Sequence, residues 1–171
     1  GARLLQKNLP SVLAAAKAAE VIVVDDASID DSLECLKNKF PSVRVVHKVH
    51  HDGYASTVNV GVGEASGEIV VLLNTDVRPA KDFFTPLLKH FKDQQVFAVG
   101  CVEESLEGGR MVLRGRGEAR WKKGFFIHWR GEVNQTTTAW VAGGSGAFRK
   151  SIWEKLGGMD MMYNPFYWED I

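Results

Sequence analysis

The stretch Glu68-Ile69-Val70-Val71-Leu72-Leu73-Asn74-Thr75-Asp76 decides the fold. Its apolar residues run without alternation and end in polar and acidic side chains. A run of that kind suits a strand covered on both faces, as in parallel sheets. Val21-Ile22-Val23-Val24-Asp25-Asp26 repeats the pattern. Between the two, Leu33, Leu36 and Phe40 recur at helical spacing, with Ser28 and Asp30 available as caps and Pro41 as a stop. Residues 43–47 predict a further strand. Residues 54–65 predict a helix that Ser66-Gly67 ends.

Outward from this centre the alternation continues. Leu4, Leu5, Leu9, Val12, Leu13 and Ala16 predict an amphipathic helix over residues 4–17, unless Pro10 confines its main body to 11–19. Residues 79–92 predict a helix with Phe83, Phe84, Leu87, Leu88 and Phe91 inward and Pro86 as a kink. Residues 96–102 predict another strand. Strand alternating with helix gives an α/β fold, a Rossmann-type mainly parallel sheet flanked by helices. Ligands of such sheets sit at the carboxyl ends of the strands, where Asp25-Asp26 and Asn74-Thr75-Asp76 both fall.

The pattern changes after Val102. Residues 104–109 predict a turn. Residues 110–130 hold seven Lys or Arg mixed with Trp121, Phe125, Phe126 and Trp129. They read as a solvated β-hairpin or as a face for a phosphate-bearing acceptor or a membrane surface. Gly143-Gly144-Ser145-Gly146 follows a short strand, and residues 148–156 predict a helix.

The 171 residues suit one domain, and 45% hydrophobic with 25% charged residues suits a soluble core. A net charge of zero argues against a general nucleic-acid binder. No apolar run approaches the roughly 18 residues of a membrane span. Cys35 and Cys101 lie far apart, so a reducing compartment is the default.

Asp25, Asp26 and Asp76 approach from two strand ends. Clustered carboxylates repel one another unless a cation or donor intervenes, and a hard divalent ion bridging to phosphate answers that need. Asn74 and Asp76, two apart on an extended segment, share a side. Taken singly, such acids equally serve as helix caps or loop solvation. His51-Asp52-Gly53-Tyr54 enters a helix whose start favours an anion, although a cap by Asp52 explains it as well. His47, His50 and His51 lack a fourth metal ligand at suitable spacing and read as solvated. Trp168-Glu169-Asp170 brings two adjacent carboxylates together in a sequence rich in aromatics (Tyr163, Phe166, Tyr167, Trp168). An apolar setting would suit a general base, but the residues taken alone read more readily as a solvated chain end.

These segments together resemble the family 2 inverting glycosyltransferases of GT-A fold. The resemblance is carried by Val23-Val24-Asp25-Asp26-Ala27-Ser28 and by His51-Asp52-Gly53-Tyr54-Ala55 with Asn59 and Gly61. It continues in Leu72-Leu73-Asn74-Thr75-Asp76, Gly144-Ser145-Gly146-Ala147-Phe148-Arg149, Gly157-Gly158-Met159-Asp160 and Phe166-Tyr167-Trp168-Glu169-Asp170. It implies one GT-A-like domain over residues 1–171, with a nucleotide-sugar half (1–102) and an acceptor half (103–171). Asp25, Asp26, Ser28, Gly53, Asn59 and Asn74 would bind the nucleotide. Asp76, helped by Asn74, would hold Mg2+ or Mn2+ in a DXD-like motif whose first acid is Asn74 here. Asp170 would be the catalytic base, with Glu169 in reserve.

The implied partners are a nucleoside-diphosphate sugar and a saccharide or lipid-linked acceptor, as in cell-surface polysaccharide synthesis, and no nucleic acid. The expected location is cytoplasmic, with the full-length protein at the cytoplasmic face of a membrane. The family's first strand has no counterpart in the sequence. A truncated fragment with an open central slot is therefore expected, completed by another segment, a partner chain or an oligomer, and weakly active or inactive by itself. A dinucleotide oxidoreductase ranks behind, since no G-x-G-x-x-G turn follows a strand. A nucleotidyltransferase stays open.

Overall fold

The computed structural model describes residues 1–164. Helix α1 (Ala2–Ala15) runs continuously through Pro10, which forfeits one backbone bond while Leu5 and Leu9 bury the face that holds it. Strand β1 (Ile22–Asp25) leads through a short turn into α2 (Ser32–Lys39). Asp30 accepts bonds from Ser32 at the start of that helix. Strand β2 (Arg44–His47) returns parallel to β1, with Asp25 opposite His47. Helix α3 (Tyr54–Glu64) and strand β3 (Ile69–Leu73) follow. Leu5, Leu9, Leu36 and Val43 form one core cluster, with Val21 and Val23 packed against it.

Helix α4 (Phe84–Lys89) is shorter than the expected 79–92, with a 3-10 turn at His90–Lys92. The helix begins where Pro86 falls in its first turn, the place at which a missing N–H costs no intrahelical bond. Strand β4 (Ala98–Gly100) is followed by two hairpins, β5 (Glu103–Glu107) with β6 (Arg110–Arg114), and β7 (Gly117–Lys122) with β8 (Phe125–Arg130). The expected turn at 104–109 is thus mostly strand, its bend confined to Gly108-Gly109.

Strand β9 (Ser145–Arg149) is a second departure, because Phe148 and Arg149 lie in the strand and helix α5 spans only Lys150–Leu156. β9 is buried throughout and inserts antiparallel between β3 and β4. Its small residues fit the crowding: a Cβ on Gly146 would meet Val141 Cγ1 at 2.4 Å.

The three-stranded sheet β3-β9-β4 separates two cores by the period-two rule. Val70, Leu72, Ala98 and Phe148 face Ala55 and Val62 of α3 and Trp153 of α5. Ile69, Val71, Val99 and Ala147 face Leu87 and Phe91. Arg149 is buried and donates Nε to the Val96 carbonyl (3.2 Å) and Nη2 to those of Phe91 and Asp93 (2.9 Å each).

The sheet lies in two separately hydrogen-bonded parts, β1-β2 and β3-β9-β4. Among the described residues no strand pairs with β1 on the side away from β2, or with β3 on the side away from β9. Both strands are only half-buried for most of their length. Helix α3 bridges the two parts: its Gly61 packs on Val24 of β1, while Ala55 and Val62 share a core with Val70 and Leu72 of β3.

Candidate functional site

The carboxyl end of β1 carries two acids in different settings. Asp25 is 5% exposed, and its Oδ2 accepts the Ser28 N–H (3.2 Å) and lies 2.8 Å from His47 Nδ1. Burial opposes its ionisation, but the bonds from Ser28 and His47 outweigh burial and hold the carboxyl below the usual range. The Ser28 bond also closes the turn at Ala27, whose φ of 57° is costly for a residue with a Cβ.

Asp26 accepts the backbone N–H groups of Gly53 (2.9 Å) and Asp52 (3.2 Å) and the Lys48 ammonium. His51 Nδ1 stands 2.9 Å from its Oδ2. Burial again opposes ionisation, and Lys48 with the two N–H groups reverses it, so this carboxyl too is held low. Lys48 is itself mostly buried and donates to Ser56 (3.0 Å) and Thr57 (3.3 Å) of α3. Gly53, with φ of 86°, supplies the left-handed turn that points its N–H at Asp26 just before α3 begins.

The acids at β1 are therefore already hydrogen-bonded by protein groups, Asp25 by Ser28 and His47 and Asp26 by Lys48 and two backbone N–H groups. His47 and His51 stay exposed, as the sequence suggests, and each also sets its Nδ1 within hydrogen-bond distance of one of these acids. Sequence reasoning also missed Lys48. The signal was the parallel register, which puts the residue after His47 beside the residue after Asp25.

Removing the ammonium should expose its contribution. Lys48→Met is expected to cost roughly 3 kcal/mol at neutral pH, since it leaves a mostly buried carboxylate short of its cation. The Asp26 pKa is lower in the folded than in the unfolded protein. Its stabilising effect is present above the ordinary carboxylate range and disappears as pH falls through the folded value. The gap between wild type and variant in urea unfolding should therefore narrow below about pH 4; a gap that stays constant into acid would refute the pairing.

At the end of β3 the chain turns: Asn74 N–H donates to the Gly144 carbonyl (2.9 Å), and Val77 N–H to the Asn74 carbonyl (3.0 Å). Asn8 of α1 donates Nδ2 to the Thr75 carbonyl (2.8 Å), while its own Oδ1 is buried with no partner among the described residues. Gly144 has no Cβ because one would stand 2.6 Å from Asn74 Nδ2. Asn74, Thr75 and Asp76 are exposed. Among the described residues no group of three His, Cys, Asp or Glu converges as a metal cage. One exposed carboxylate with an amide oxygen two residues earlier is a hard-donor set. It fits an Mg2+ or Mn2+ ion that takes its other ligands from phosphate and water.

Asn59 faces elsewhere: its Nδ2 donates to the Met159 carbonyl and its Oδ1 accepts the Met159 N–H, both at 2.9 Å. It clamps the turn at Gly157 and Gly158, both at positive φ, against α3. Ser28 lies beside Asp25, to which it donates. Glu169 and Asp170 lie outside the described residues.

Comparison with known proteins places the chain. The family model "Glycosyl transferase family 2" matches residues 2–157. The chain is 30% identical over 95 residues to a dolichol-phosphate mannosyltransferase of Pyrococcus furiosus, covering 54% of this chain and 26% of that protein. It is 31% identical over 113 residues to a pre-mycofactocin glycosyltransferase of Mycobacterium tuberculosis, covering 63% and 23%. It thus spans about a quarter of the length of these relatives. The fold superposes on the mannosyltransferase PcManGT of Pyrobaculum calidifontis, solved with GDP-Man and Mn2+, with a TM-score of 0.68 at 23% identity. That match covers 94% of this chain and 45% of the other. The fold is the GT-A type, and the chain belongs to glycosyl transferase family 2.

Proposed function

We propose that this chain forms the donor-binding centre of an inverting glycosyltransferase, which moves a sugar from a nucleoside diphosphate to an acceptor hydroxyl. The observation that carries the proposal is that two strands, β1 and β3, each end in acidic or hard-donor side chains. One presents Asp25 and Asp26, fixed by His47 and Lys48; the other presents the exposed carboxylate of Asp76 beside Asn74. Family membership and the GDP-Man and Mn2+ bound to the solved neighbour support the same reading.

Asp25 or Asp26 takes the base or ribose, with Ser28 and Gly53 lining the same corner. Asp76 and Asn74 hold Mg2+ or Mn2+, which when bound supplies Lewis-acid stabilisation of the departing diphosphate. Asp170 removes the proton from the acceptor hydroxyl, and Glu169 is the alternate base. The freed oxygen attacks the anomeric carbon opposite the leaving group, so one displacement inverts configuration. The acceptor is a saccharide or a lipid-linked sugar.

Thermal unfolding with UDP, GDP, dTDP or NAD, each with and without Mn2+, tests the reading. A nucleoside diphosphate at about a hundred times its Kd adds about 2.7 kcal/mol, or roughly 5–10 °C for a domain of this size, and should do so only with metal. Stabilisation by NAD alone would refute it. Where turnover is measurable, Asp170→Asn should lower it about a hundredfold and remove the acid limb of the pH–rate profile. A second reading, binding without turnover, is favoured by the edges of β1 and β3 that have no partner strand among the described residues. Metal-dependent binding with no sugar transfer would select it.

A further inference from the structure

We propose that the β7–β8 hairpin is a docking element for an anionic phospholipid surface. Cross-strand partners share a face of a hairpin, and the register sorts this one into two unlike sides. Along it Trp121 packs on Phe126, Phe126 on His128 and His128 on Trp140, with ring centroids 5.4, 6.3 and 5.4 Å apart. That column anchors the hairpin to the body of the domain. On the other side β7 presents Glu118, Arg120 and Lys122, opposite Trp129, Ile127 and Phe125 of β8; Glu118 lies at the end away from the tip and is paired with Arg116. A basic column thus runs alongside an apolar one, joined where the Arg120 guanidinium lies 5.6 Å from the Trp129 ring.

The tip completes the pattern. Lys123 and Gly124 form a two-residue turn with φ of 52° and 84°, the left-handed pair that matches strand twist. Phe125 is 74% exposed and Trp121, on the anchored side, is still 73% exposed at its end near the tip. Among the described residues neither Lys122 nor Lys123 has a carboxylate partner.

Exposed tryptophan and phenylalanine beside unpaired lysines is the chemistry of a bilayer interface. The rings settle at headgroup depth, and the ammonium groups meet lipid phosphate. A glycan would stack on the same rings, but recognition of its hydroxyls calls for carboxylate or amide groups alongside. The one acid of this hairpin, Glu118, is held by Arg116. Residues 110–130 carry basic groups well in excess of that single acid, so the charge complements a negative surface.

The test is co-sedimentation of the full chain with sucrose-loaded vesicles of phosphatidylcholine alone, or with about a third phosphatidylglycerol, at roughly 0.1 M salt. The protein should partition onto the mixed vesicles and not onto phosphatidylcholine. Each lysine is worth about fivefold, so K122A/K123A should weaken partitioning about thirtyfold. K122R/K123R should retain it. W121A/F125A should weaken it by about tenfold or more. All these positions are exposed, and unchanged urea midpoints would show that the variants fold. Failure of the wild type to bind mixed vesicles, or binding that both alanine variants leave intact, overturns the proposal. So does retention on immobilised oligosaccharide that W121A/F125A abolishes, without vesicle binding; that result assigns the face to a glycan.

Discussion

Asp76→Ala is expected to abolish the Mn2+ dependence of nucleoside diphosphate binding and to lower sugar-transfer turnover by about a thousandfold, the scale of losing several kcal/mol of charge stabilisation. The effect is large because, among the described residues assigned to the donor site, none substitutes for this carboxylate. Asn74 is neutral, and Asp25 and Asp26 are committed to His47, Lys48 and backbone N–H groups. The change should leave folding nearly untouched. The side chain is exposed, and the turn is held by Asn8 and by the Asn74–Val77 bond, neither of which uses it. Calorimetric titration of UDP and GDP with and without Mn2+ separates the two effects. Metal-dependent tightening that survives in the variant, with an unchanged unfolding midpoint, would remove Asp76 from the metal site.

Arg149→Ala should produce the largest loss of stability, about 3–5 kcal/mol against a total of roughly 5–15 for a domain. The guanidinium is buried with carbonyl partners at Phe91, Asp93 and Val96 and packs over the Phe91 ring at 5.5 Å. Truncation strands these acceptors at the seam between α4 and β9. Arg149→Lys should recover part of the loss, because an ammonium keeps the charge without the planar fork. Urea unfolding measures both, and a cost below about 1 kcal/mol for the alanine variant would show that solvent takes over the carbonyls.

The strands that carry the site were legible because each is an apolar run closed by acid, although the run does not reveal direction of pairing: β1 pairs parallel with β2, while β3 pairs antiparallel with β9. β1, β2 and β3 fall within a residue or so of where the sequence puts them. β9 was not legible. Its Ser-Gly-Ala-Phe-Arg composition looks like a turn running into a helix. It is a strand because β3 and β4 pair with it on either side and Val141 leaves no room at Gly146. Tertiary pairing overrode local preference there. The same holds for Asn59, whose partner Met159 lies 100 positions away. The acids of the site were legible, but their hydrogen-bond partners were not. Lys48 and His47 belong to β2 and the loop behind it, and only the register brings them to Asp25 and Asp26.

The division of the sheet has a consequence for how the molecule opens. Backbone bonds within β3-β9-β4 and those within β1-β2 form separate ladders, so native-state hydrogen exchange should report two cooperative units in place of one. Helix α3, with Gly61 on Val24 and Val62 in the core of β3, is the mechanical coupling between them. On the proposed function, a donor that contacts Asp26 on one unit and Asp76 on the other would act as a staple across that joint. Part of its binding energy would go into making two foldons behave as one, and exchange at β1 and β2 should then slow on ligand addition.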